Sequence, residues 1–173
     1  YLPEERKKHG ILSLLSVKHN ISISLLDQLR TGLTVSRKKE NEAVNQVIQD
    51  FDVKTPSLEQ QIRFLSGGNQ QKVVIGRAMQ CVPRVLIFDE PTKGIDVGTK
   101  VEIYRIMREL AENEGVGIIL ISSDISEILR CSNRVITIYE GKVTGEFDSE
   151  TDATVIMNAM FGENTNFNGE RAV

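Results

Sequence analysis

Leu65-Ser66-Gly67-Gly68-Asn69-Gln70-Gln71-Lys72 places a serine and two glycines directly before a segment that reads as helix. The first turn of a helix leaves backbone N–H groups without intrahelical partners and carries the positive end of the dipole, so an oxyanion is favoured there. Ser66 is of the residue type that caps a helix start, and Gly67 and Gly68 leave their N–H groups uncovered by side chains. On local chemistry alone the same three residues also make an ordinary capped turn. What separates the two readings lies about 20 residues downstream.

There, Arg84-Val85-Leu86-Ile87-Phe88-Asp89 is an unbroken run of β-preferring residues, the pattern of a strand buried on both faces in a parallel sheet covered by helices. Asp89 and Glu90 close it, just before Pro91. Ligands in open α/β sheets bind at that edge, so a carboxylate pair there suggests chemistry, although a strand cap with an exposed turn reads the same way. Gly98 to Glu114 is expected to be a helix with Val101, Tyr104, Met107 and Leu110 on one face, ended by Gly115. Val116 to Ile121 is a second buried strand, Ser122-Ser123-Asp124 its polar exit, and Ile125 to Arg130 a short helix. Strand and helix alternate here, which implies parallel pairing.

On the N-terminal side, a short helix over Ile23 to Leu29 and an amphipathic one over Arg37 to Asp52, with Ala43, Val47, Ile48 and Phe51 as its stripe, are expected. The helix after the glycines covers Gln70 to Gln80. On the C-terminal side, Arg134 to Tyr139, Glu140-Gly141 and Lys142 to Phe147 read as a β-hairpin. Asp152 to Phe161 reads as a terminal helix with Ala153, Ile156, Met157 and Met160 as a stripe, and Glu163 to Val173 as a frayed tail.

Composition narrows the function classes. The 173 residues are 40% hydrophobic and 26% charged, with net charge −3 and no Trp, which fits a globular chain with one substantial core. A mildly acidic balance without a basic block argues against nucleic acid as a partner. No apolar run approaches the roughly 20 residues of a membrane span. Cys81 and Cys131 lack metal-ligand spacing and read as free core thiols, with His9 and His19 at the surface. Tyr1 begins a polar stretch with no start signal, so the chain is expected to be cut from something longer.

Taken in order, the Ser-Gly-Gly stretch and Val85-Leu86-Ile87-Phe88-Asp89-Glu90-Pro91-Thr92 resemble the nucleotide-binding domain of ABC transporters. They look like the family's signature and its Walker B strand, and Lys93-Gly94-Ile95-Asp96 looks like its D-loop. The spelling of these motifs, with Pro3-Glu4-Glu5-Arg6-Lys7 near the start, is similar to the second ATPase half of bacterial ribose, galactose and arabinose importers. The resemblance implies a P-loop-type α/β fold, a parallel sheet flanked by helices with a helical subdomain, whose N-terminal β part and Walker A loop would be missing. It divides the chain into a Q-loop remnant and helical subdomain (1–64), a core with signature, Walker B, D-loop and switch (65–147), and a terminal helix and tail (148–173).

By the same resemblance, Asp89 would hold Mg²⁺ through water and Glu90 would polarise the attacking water. Ser66, Gly67, Gly68, Asn69 and Gln70 would close over the γ-phosphate of an ATP held by a second ATPase half, which could be the chain's own N-terminal half or a dimer mate. Asp96 would lie at that interface, doubling as the N-cap of the following helix. Glu4 stands where the family has its Q-loop glutamine, and Ser123 where the family's switch has a histidine beside an acid. ATP and Mg²⁺ are the implied cofactors, bound weakly or not at all by a fragment, which would then be inactive. The implied partners are permease subunits and, indirectly, a periplasmic sugar-binding protein, with the domain peripheral on the cytoplasmic face of the inner membrane. The alternatives are a non-transport ABC ATPase of the repair, chromosome-structure or ribosome-associated kinds, and a silent dimerisation or coupling module.

Overall fold

The computed structural model describes residues 1–31 and 34–163; most of the expected frayed tail lies outside them. The chain packs as two compact units, residues 1–121 and 122–173.

The first unit begins with extended backbone. Leu2 forms a parallel bridge to Phe88, its N–H donating to the Ile87 carbonyl (2.8 Å) while Asp89 N–H donates to its own carbonyl (3.0 Å). A π-helical turn, Arg6–Gly10, follows, then α1 (Val17–Ser22), capped by Ser16, and a 3-10 turn over Ile23–Leu25. The helix expected over Ile23 to Leu29 thus lies earlier, because Ser16 supplies the cap and Val17 and Ile21 the buried stripe. Strands β1 (Arg30–Thr31) and β2 (Thr34–Val35) make a minimal antiparallel pair ahead of α2 (Arg37–Asp50). Val47 and Phe51 of the expected stripe are buried, together with Glu40 and Val44, whereas Ala43 and Ile48 are half-buried. α3 (Gly67–Met79) packs on both α1 and α2, and Val17, Ile21, Val44, Val47, Ile62, Val73 and Ile75 form their common core.

β3 (Val85–Asp89) pairs in parallel with β4 (Gly117–Ile121), in register from Val85↔Gly117 to Asp89↔Ile121, with α4 (Val97–Glu112) crossing between them. Leu86 and Phe88 are fully buried, whereas Val85, Ile119 and Ile121 are about half exposed, so the strands are covered on one face and not both. On α4 the core positions are Ile103, Ile106, Met107 and Leu110; Val101 faces solvent.

The second unit holds α5 (Ile125–Cys131), the antiparallel hairpin of β5 (Arg134–Tyr139) and β6 (Lys142–Asp148), and α6 (Ala153–Met160). Glu140 and Gly141, both at positive φ, make the tight turn that a right-twisted hairpin needs. α6 packs on the hairpin through Ile156 and Ala159; Met157, expected on the buried stripe, is exposed.

The expectation of a parallel sheet flanked by helices, with its N-terminal β part and Walker A loop missing, is therefore corrected to a mixed fold. Among the described residues there are three two-stranded sheets, one parallel and two antiparallel, the expected hairpin being one of these, with flanking helices, and the N-terminal segment pairs with β3 at Leu2. The hairpins arise from short local turns, and parallel pairing arises only where a helix makes the crossover.

Candidate functional site: the signature turn and the carboxylate edge

Ser66 caps α3, its Oγ accepting from Asn69 N (3.4 Å) and from the Asn69 side-chain amide (2.9 Å). Asn69 Oδ1 in turn accepts from Lys54 N (2.7 Å), which fixes both side chains at the turn. The helix starts at Gly67, three residues earlier than expected, so the amides of Gly67 and Gly68 belong to its first turn and have no carbonyl four residues back to pair with. Gly68 is also a packing requirement: a Cβ there would sit 2.0 Å from Thr99 Cγ2 on α4. Gln70 is committed inward and 3% exposed, its amide nitrogen donating to the Ile62 (3.2 Å) and Leu65 (3.1 Å) carbonyls.

Asp89 ends β3 with its carboxylate accepting from the Tyr1 hydroxyl (2.6 Å), an interaction that pushes the Tyr1 hydroxyl above its ordinary value of 10.0. Glu90 follows at φ +45, a left-handed backbone that a non-glycine residue adopts only at a cost. Its N–H donates to the Ile121 carbonyl (2.8 Å) and its carbonyl accepts from Lys93 N (3.1 Å), so both neighbouring segments enforce the strained turn. Two adjacent carboxylates at the C-terminal end of a parallel strand are a hard-oxygen donor set of the kind Mg²⁺ takes. Among the described residues no group of three or more His, Cys, Asp or Glu forms a metal-binding cluster, so such an ion would draw its remaining ligands from water and phosphate.

Asp96 caps α4, accepting from Thr99 N (3.0 Å) and from the Thr99 hydroxyl (2.7 Å); these bonds hold its carboxyl below the usual carboxylate range. Thr99 thus touches both the signature glycine and the D-loop aspartate. Glu4 forms an ion pair with Lys93 (2.5 Å), which ties the N-terminal segment to the segment after the carboxylates. Ser66, Gly67, Gly68, Asn69, Gln70, Asp89, Glu90, Asp96 and Glu4 all belong to the first unit. Ser123 belongs to the second, in the segment where Ser122 donates to Glu127 (2.5 Å) and Asp124 caps α5.

Three residues that the sequence reading passed over organise this region. Lys72, 2% exposed, pairs with Glu102 on α4 (2.8 Å) and donates to the Asp52 carbonyl (2.9 Å), anchoring α3 to α4 and to the end of α2. Thr99 supplies the contact against Gly68. Arg6, in what reads as a solvated charge run, is 9% exposed and bonds Gln70 and Gln71. Only the inward direction of Gln70 and Gln71 on α3 could have hinted at it. Among the described residues neither Cys81 nor Cys131 is in a disulfide; Cys81 is exposed and Cys131 half-buried, where both were expected in the core.

A strand edge with a carboxylate pair, beside a capped Ser-Gly-Gly helix start, is the arrangement of a nucleotide-handling α/β domain. The family model described as ABC transporter matches residues 5–93, about half of the chain, and the chain belongs to that family. Solved structures agree on the fold. A dimeric ATP-binding cassette in a post-hydrolysis state bound to ADP and Pi matches with TM-score 0.71 at 22% identity, over 87% of this chain and 63% of its own. A dimeric bacterial ABC transporter cassette gives 0.71 at 23% over the same shares. An inward-facing putative metal-chelate type ABC transporter gives 0.76 at 15%, over 93% and 63%. The chain spans 63% of the length of each, less than two thirds.

These findings correct three expectations. The match to the family model begins at residue 5, inside the segment read as a remnant, and the likeness in fold extends over 87 to 93% of the chain. The reading as a truncated second half of a sugar importer gives way to an ABC transporter ATP-binding domain, with no sugar assigned. The reading of a Walker B-bearing piece for carbohydrate uptake and that of an inactive fragment give way with it, because what is matched is the ABC transporter family as a class and its fold. No helix among the described residues is long and apolar enough to cross a membrane.

Proposed function

We propose that this chain serves as an ATP-binding, ATP-hydrolysing domain that powers a transporter, working with a second ATPase domain and with membrane-spanning subunits on which it sits peripherally. The observation that carries the reading is the joining of two anion-directed elements in one unit: the signature turn is locked against the D-loop through Gly68, Thr99 and Asp96, and the carboxylate edge lies directly before that loop. In this reading Ser66 and the amides of Gly67 and Gly68 close over the γ-phosphate of a nucleotide held by the second domain. Asp89 would hold Mg²⁺ through water, where the ion neutralises phosphate charge. Glu90, at a left-handed backbone position directly after β3, would orient and polarise the attacking water. Asp96, fixed by Thr99, faces the second domain; Glu4 stands where the family has its Q-loop glutamine, and Ser123, in the other unit, where the family has its switch histidine.

The experiment is Mg-ATP turnover by the assembled transporter carrying Glu90→Gln. The amide keeps size and hydrogen bonding but cannot act as a base, so turnover falls by about 100-fold or more while Mg-ATP is still retained. Turnover within twofold of wild type would remove Glu90 from the chemistry and the hydrolytic reading with it.

A further inference from the structure

The Arg6 guanidinium has an electrostatic environment that packing alone does not explain. It is buried, and burial pushes it down from the ordinary arginine value, with no charged group among the described residues offsetting the penalty. The two acids directly before it are engaged elsewhere, Glu5 with Lys8 and Glu4 with Lys93, so neither carboxylate serves Arg6. Its acceptors are two neutral amide oxygens at long range, Gln70 Oε1 to Nε (3.3 Å) and Gln71 Oε1 to Nη1 (3.3 Å). Nη2 lies 3.0 Å from where a Cβ on Gly67 would stand, so the guanidinium rests against the first residue of α3. A cation at the positive end of a helix dipole is unfavourable, and burial without a counter-ion adds to the cost. The arrangement becomes favourable once an anion reaches that helix end.

Arg6 also shapes the turn. Gln70 accepts from Arg6 and gives its amide nitrogen to the Ile62 and Leu65 carbonyls, so the guanidinium sets the orientation of the amide that holds the chain entering Ser66.

We propose that Arg6 is a positioning residue for the signature turn, holding Gln70 and Gln71 and keeping an uncompensated positive charge behind the Gly67 and Gly68 amides, which raises the turn's affinity for a phosphate-like oxyanion. This rests on the reading of the Ser66–Gly68 turn as an anion site. Gln71 is the discriminating position, because its carbonyl oxygen meets Arg6 and its side chain is 3% exposed. Gln71→Glu gives the guanidinium a carboxylate of the same shape, which improves the local ion pairing while cancelling the charge offered to the anion.

The test measures inhibition of the assembled transporter's Mg-ATP turnover by orthovanadate, a phosphate-like oxyanion, together with the thermal midpoint. Gln71→Glu is expected to leave the midpoint unchanged or raised and to increase the inhibitory vanadate concentration about tenfold. A purely structural role for Arg6 would be preserved by that substitution and would leave vanadate inhibition where it was. Arg6→Lys, which keeps the charge, stays closer to wild type than Arg6→Met, which removes it and decides the same question should Gln71→Glu fail to assemble. Ser66→Ala run alongside separates two failures. Weakened inhibition in Ser66→Ala with unchanged inhibition in Gln71→Glu and Arg6→Met overturns the role of Arg6 alone. Unchanged inhibition in all of them overturns the signature reading as well.

Discussion

Gly68→Ala tests why the signature turn carries its second glycine. The added Cβ would lie 2.0 Å from Thr99 Cγ2, 2.9 Å from Thr99 Cβ and 3.1 Å from Thr99 Oγ1. Ordinary carbon contacts are about 3.5–4.0 Å, so the worst overlap is about 1.5 Å. A rotation of Thr99 to escape it breaks the hydroxyl bond to Asp96, and a shift of α3 disturbs the Lys72–Glu102 pair. Overpacking of this kind costs about 1–3 kcal/mol, and replacing glycine within a helix returns up to about 1 kcal/mol, leaving a net loss of about 1–2 kcal/mol. Thr99→Ser removes Cγ2 while keeping the hydroxyl for Asp96. Combined with Gly68→Ala it should recover about 1 kcal/mol, a coupling that a double-mutant cycle in urea can resolve. Because alanine is uncharged, the loss reports packing and not repulsion of phosphate. An unchanged urea midpoint for Gly68→Ala, or strict additivity with Thr99→Ser, would refute the close approach of α3 and α4 at this point.

Two further outcomes follow from the same geometry. Glu90→Gly relieves the left-handed backbone at φ +45 and should match or exceed wild-type stability by up to about 1 kcal/mol while abolishing turnover; a clear loss of stability would show that the turn is unstrained. The Glu40 carboxyl is pushed up by burial, but the Ser22 hydroxyl (2.8 Å) and the Lys18 ammonium (3.1 Å) outweigh this and hold it below 4.5. Its contribution to stability is therefore complete above about pH 4.5 and lost as pH falls through the lower folded value, so Glu40→Gln should flatten the acid limb of the stability–pH profile, and an unaltered limb would contradict the pairing.

Much of the fold is legible in the sequence because its signals are local. The β-rich run at Val85–Asp89, the cap at Ser66, the cap at Asp96 and the turn at Glu140–Gly141 each depend on neighbouring residues only. Faces were harder to read. Val101 falls on the apolar stripe of α4 by spacing yet is exposed, because the core contacts that α4 receives fall around Ile103, Ile106 and Leu110. The inward roles of Arg6 and Lys72 were not legible at all. A charged side chain on a helix or in a charge run reads as solvated unless its partner is known, and the partners, Gln70 with Gln71 and Glu102, are far away in sequence or on another element. The antiparallel pairing at β1–β2 was missed because each strand is only two residues long.

The central claim is that the first-turn amides of α3 face a phosphate. It is tested most directly by amide hydrogen exchange at Gly67 and Gly68 in the assembled transporter carrying Glu90→Gln, with and without trapped Mg-ATP. An oxyanion hydrogen-bonded to those N–H groups slows their exchange by about tenfold or more, while amides at the far end of α3 such as Ala78 stay unchanged. Nucleotide retained with exchange at Gly67 and Gly68 unaltered would contradict the account.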